Sequence, residues 1–148
     1  MKTILNILTI AAVLCVGMTM VHAAEKNSIA GPKGGRLLEK TEPKAEFFVE
    51  MDRTVTIAFY DAGLKQVAAT TQSVTLIADA KGGKKTIEFE KKGDVLVSQG
   101  ALPDGEGYSL VVQFKQTVDA RSQNFRFKLE THKCGECKRA EYACDCHH

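Results

Sequence analysis

The sequence has no tryptophan, no histidine between Ala23 and His132, and no cysteine between Cys15 and Cys134. Without histidine, the long middle of the chain lacks the side chain best suited to proton transfer or imidazole ligation near neutral pH. No serine there sits in a Gly-x-Ser-x-Gly elbow. Glu88 and Glu90 alternate with Ile87 and Phe89, the pattern of a solvated strand face and not of an acid/base pair. With no catalytic constellation in this region, we expect a binding protein and not an enzyme. An excess of one charge is also lacking: the formal net charge is +2, and lysines and glutamates are interspersed. No basic stripe or tryptophan platform exists for nucleic acid, which excludes it as an expected partner.

The chain also lacks an apolar run long enough for a stable membrane span. The longest, residues 4–16, follows Lys2 and precedes Val21-His22-Ala23 and Ala24, small residues of the kind a signal peptidase requires. This is the pattern of a cleaved leader over residues 1–23, which places the mature protein outside the cytoplasm. Cys15 follows Leu14, bulky where lipobox cleavage prefers a small residue, so we expect Cys15 to depart with the leader without a lipid anchor. The mature chain then has the length of one ordinary domain.

Residues 24–44 are polar and centred on Gly31-Pro32-Lys33-Gly34-Gly35-Arg36, which predicts an extended arm. The glycines lack the Gly-Lys-Ser/Thr ending of a phosphate loop. Beyond Pro43 the apolar period becomes two. Val55, Ile57 and Phe59 share one face, and similar runs cover residues 46–51, 73–78, 85–90, 95–98, 108–115 and 124–130. Turn residues separate them, as in Lys81-Gly82-Gly83 and Asp104-Gly105-Glu106-Gly107. About seven short strands predict an all-β, antiparallel, immunoglobulin-like β-sandwich over residues 45–131. Its expected core includes Phe47, Ile57, Phe59, Leu76, Val97, Leu110, Phe114 and Phe127.

What the rest of the chain lacks is concentrated in residues 132–148, an expected irregular Cys-rich tail. Cys134 and Cys137 form a C-x-x-C, Cys144 and Cys146 a C-x-C, and His132, His147 and His148 flank them. A C-x-x-C sets two thiolates on one turn, and a second pair folding back completes a four-sulfur site. Thiolates select soft or borderline ions, so the expected cofactor is Zn2+ or Cu+, with the three histidines as further candidate ligands. Lys133, Lys138 and Arg139 are placed to offset the net negative charge of four thiolates on one zinc. Two disulfides stapling the tail are the alternative in an exported chain, giving a structural or interaction module with no metal role. A thiol-disulfide oxidoreductase would need a thioredoxin-like βαβ frame, which the period-two pattern denies. Covalent haem needs C-x-x-C-H, and Lys138 follows Cys137.

Gly-Pro-Lys-Gly-Gly-Arg-Leu-Leu at residues 31–38, followed by Ala45-Glu-Phe-Phe-Val at 45–49 and an all-β stretch, resembles the N-terminal periplasmic domain of adaptor subunits from heavy-metal efflux pumps of the resistance-nodulation-division class. The resemblance covers about residues 31–127 and implies metal handling in the periplasm, with an efflux-pump component as the partner it suggests. The position where those adaptors often carry histidine is Lys33, so a metal role of that loop is not carried over. Without the helical hairpin of an adaptor, the chain resembles one such domain standing alone, with a cysteine tail added.

Overall fold

The computed structural model describes residues 29–38 and 40–146. The expected leader with Cys15, residues 24–28 of the expected arm, and His147 and His148 lie outside the described residues.

The described chain is all-β, and every strand pairing is antiparallel. The strands are β1 (Arg36–Leu38), β2 (Lys44–Val49), β3 (Val55–Tyr60), β4 (Gln66–Val67), β5 (Ser73–Ala80), β6 (Gly83–Lys92), β7 (Val95–Ser98), β8 (Ser109–Lys115) and β9 (Gln123–Lys128). The pairing path runs β1-β2-β3-β7-β6-β5-β8-β9, with β4 beside β3. The seven expected runs correspond to β2, β3 and β5 through β9.

One long strand makes the two layers. The first part of β6, Gly83 to Glu88, pairs with β5, whereas Phe89 to Lys92 pair with β7. The sheet therefore folds over along β6, and the two halves enclose the core. In β8 the period of two buries Leu110, Val112 and Phe114, and these meet Ile57 and Phe59 of β3 and Leu76 of β5. Phe59 and Phe114 lie 6.3 Å apart between ring centroids. Val97 is a correction to the expected core: Leu96 and Ser98 are the buried residues of β7. Three successive apolar residues at 95–97 leave the inward face undefined. The Ser98 hydroxyl decides it, accepting from the Val55 amide at 2.8 Å and donating to the Gly100 carbonyl at 2.8 Å.

The expected arm is a packed element from Ile29 onward. Leu37 N–H donates to the Ile29 carbonyl, and β1 pairs with β2 through Arg36 and Phe47. The glycines before β1 serve close approach rather than looseness. A Cβ on Gly31 would come within 2.2 Å of Glu46 Cδ, and one on Gly35 within 2.4 Å of the Phe47 carbonyl oxygen. Glu46 faces outward on β2, opposite Ala58 on β3, yet it is fully buried because this loop covers it. Its carboxylate accepts from the backbone N–H of Lys33 at 3.0 and 3.1 Å and of Gly35 at 2.7 Å.

The two ends of the pairing path approach each other, so the sheet is nearly closed into a barrel. Phe47 of β2 meets Phe127 of β9 edge-on at 5.2 Å, and the Arg36 guanidinium lies 4.9 Å from the centre of the Phe127 ring. No helix among the described residues is long and apolar enough to cross a membrane.

Candidate metal centre

The cysteine segment is ordered by the sheet that precedes it. After β9, Leu129 is fully buried and exchanges backbone hydrogen bonds with the loop before β8: its N–H donates to the Tyr108 carbonyl, and its carbonyl accepts from Gly107. From there the chain makes a narrow antiparallel ladder. Tyr142 N–H donates to the Glu130 carbonyl, Glu141 N–H to His132, and Cys134 N–H to Arg139, with Lys133 bridged to Ala140. Lys138, with φ of 62°, supplies the left-handed residue that closes the turn. The C-x-x-C occupies this turn. A single 3-10 turn, Glu141–Ala143, then reverses the chain and brings Cys144 and Cys146 back beneath it.

Tyr142 anchors the whole segment. Its ring is buried between Phe47, at 6.0 Å and nearly perpendicular, and Phe127, at 6.5 Å and stacked. Its hydroxyl accepts from the Val49 amide at 3.0 Å, and its carbonyl accepts from Arg36 Nη1 at 3.1 Å. The segment thus fills the gap where β1–β2 and β9 approach.

The four sulfurs of Cys134, Cys137, Cys144 and Cys146 lie within 4.8 Å of one another, and none is in a disulfide. Cys137 Sγ and Cys144 Sγ are 3.6 Å apart. A disulfide requires about 2.05 Å, whereas a tetrahedron with metal–sulfur bonds of about 2.3 Å has edges of about 3.8 Å. The donor set therefore fits one tetrahedrally bound ion. Backbone dipoles point at the sulfurs as they would at thiolates: Cys146 N–H approaches Cys144 Sγ at 3.3 Å, and the amides of Cys137 and Glu136 aim at Cys134. These amides hold the Cys134 thiol down at about 6, well below the usual thiol value. Burial pushes Cys144 up to about 11, and the shared hydrogen bond with Cys144 pushes Cys146 up as well. Cys134 is thus predisposed to the thiolate form, while Cys144 and Cys146 hold their protons until a cation offsets the accumulating charge.

The seven residues expected at the site divide. The structure brings the four cysteines together. His132 lies apart, exposed, with Nδ1 3.3 Å from Glu106 Oε2. Glu106 is engaged mainly by Thr131, whose hydroxyl donates to it and holds its carboxyl below the usual range, with His132 contributing less. The sequence reading missed Tyr142 as the anchor, although it is the one large apolar residue within the cysteine segment.

A four-cysteine cluster on a nearly closed antiparallel sheet is the class of site these residues define. No family model, curated protein or solved structure matches the chain.

Proposed function

We propose that this protein is an exported, periplasmic binding protein that holds one soft transition metal, zinc or copper(I), through Cys134, Cys137, Cys144 and Cys146, as an accessory to metal efflux or homeostasis. The observation that carries the reading is the convergence of four sulfurs within 4.8 Å with no disulfide among them. Export is supported by the leader pattern in residues 1–23. In an oxidising compartment, unprotected thiols this close together are readily oxidised, and a bound ion protects them. The link to efflux is supported by the resemblance of residues 31–38 and 45–49 to the adaptor domain. Lys33 has a different use here: its backbone N–H holds Glu46, and its ammonium pairs with Glu50 at 3.2 Å. The role is binding rather than catalysis.

The test is metal analysis of protein purified without added metal, together with a thiol count before and after chelation. About one metal ion per chain is expected, with four thiols becoming reactive only once the chelator removes it. Four silent sulfurs with and without chelator would instead identify two disulfides and a stapled structural module. Each bound thiol must release its proton, so affinity falls as pH is lowered. Replacing Cys134 and Cys137 together should weaken zinc much more than Cys134→Ser alone. Copper(I), satisfied by two or three sulfurs, should still bind to Cys144 and Cys146.

A further inference from the structure

The turn between β2 and β3 and the loop carrying the C-x-x-C face each other across a cleft of about 620 Å³. Five cations line it, Lys33, Arg53, Lys133, Lys138 and Arg139, against one carboxylate, Glu50. That local excess stands out on a chain whose net charge is only +2. Three of the five are engaged within the walls, Lys138 through its ammonium, which donates to the Gly135 carbonyl of its own turn. Arg53 donates to the carbonyls of Pro103 and Gly105 and to the Tyr108 hydroxyl, and Lys33 pairs with Glu50. Lys133, Lys138 and Arg139 are exposed. Met51 stands beside them with its side chain entirely in solvent. The turn that presents Met51 is braced: Arg53 N–H donates to the Glu50 carbonyl at 3.0 Å, and Asp52 accepts from the Thr54 amide at 2.9 Å.

We infer that this cleft docks an acidic, extended segment of a partner protein, with its carboxylates against Lys133, Lys138 and Arg139 and an apolar side chain against Met51 and Val49. Charge complementarity selects the sign of the partner, and the narrow apolar strip beside the cations selects a peptide over a simple anion. Nucleic acid is disfavoured because, of the two aromatic residues that line the cleft among the described residues, Tyr142 is buried and the Phe48 ring is covered by the Lys33 ammonium 4.6 Å from its centre. A lipid surface is disfavoured because, among the described residues, Met51 is the one large apolar residue fully exposed at this cleft.

The experiment is fluorescence anisotropy of a labelled peptide of about eight residues, Asp and Glu interspersed with Leu, binding to the full chain as purified. Binding should weaken steeply with added salt. Lys133→Glu combined with Arg139→Glu should reduce affinity by about tenfold or more, while reversal of Lys84 and Lys85 on β6 leaves it unchanged. Met51→Ser, which alters no charge and no packed residue, should reduce it several-fold and serves as the second variant should the double reversal disturb the cysteine loop. The proposal is overturned if a peptide with Lys in place of Asp and Glu binds equally well. It is equally overturned if neither the reversal pair nor Met51→Ser changes affinity. Vesicles rich in anionic lipid, or single-stranded DNA, displacing the peptide through these same residues at lower concentration would assign the cleft to that ligand instead.

Discussion

A single side chain can reverse the meaning of the segment next to it, and Glu46 does so here. Its position opposite Ala58 puts it on the outer face of β2, where alternation predicts solvent. The glycine loop converts that face into an interior, and the carboxylate becomes the acceptor for backbone N–H groups of Lys33 and Gly35 that have no other strand to pair with. Glu46→Gln keeps the shape but replaces an oxygen with an NH2 group facing those donors. We expect it to cost about 1–3 kcal/mol in urea unfolding, the range for leaving buried donors unsatisfied. Gly31→Ala should cost at least as much, since its Cβ would overlap the Glu46 side chain at 2.2 Å. Lys84→Gln, removing an exposed pair with Asp79 at 4.0 Å, should change stability by less than about 0.5 kcal/mol. If all three variants unfolded at the same urea concentration, the buried carboxylate would have no special role.

Strand existence was legible in the sequence because period two survives wherever one face is buried. Existence was missed where strands are too short to show a period, as in β1 and β4, and the inward face was misassigned where apolar residues occupy both faces, as in β7. The clustering of the four cysteines as a candidate ligand set was legible from spacing alone, whereas the ordering of the tail was not. It depends on Tyr142 meeting Phe47, some ninety residues earlier, and no local pattern encodes that contact. The cysteine segment is therefore an element of the barrel and not an appendage to it. Tyr142→Ala should destabilise the fold by about 3–5 kcal/mol, as for removal of a buried aromatic side chain, and should also weaken metal binding because the 3-10 turn loses its anchor. Tyr142→Phe should cost only about 1 kcal/mol, the hydrogen bond from the Val49 amide, with metal affinity retained. Urea midpoints paired with metal titrations separate the two effects. A Tyr142→Ala protein as stable as the parent would mean that the segment does not brace the sheet.

The whole molecule carries its tyrosines in a way that sets its upper pH limit. There are three, Tyr60, Tyr108 and Tyr142, and no tryptophan, so tyrosinate absorbance reports on them alone. Burial raises all three above the ordinary phenol value. For Tyr60 the Glu46 carboxylate adds to the effect, first by accepting its hydrogen bond and then by repelling the phenolate. The charged form of each is disfavoured in the fold, so the folded chain holds these protons more tightly than the unfolded chain. The resulting stability is fully present below the unfolded value of about 10 and is lost as pH rises through the raised values, because the unfolded state gives up its protons first. Phenolate absorbance should thus emerge together with loss of the β-sheet circular dichroism signal, in one steep transition above about pH 10, rather than as a gradual titration of native protein. Tyr60→Phe reverses sign across that range. Near neutrality it removes a donor to the buried Glu46 carboxylate and should cost about 1.5–3 kcal/mol, yet above pH 10 it removes a proton that the parent must retain to stay folded. The variant should therefore lose less of its stability between pH 8 and pH 11 than the parent does. Equal losses in the two proteins would show that Tyr60 ionises in the folded state without resistance, and that the pairing with Glu46 does not constrain it.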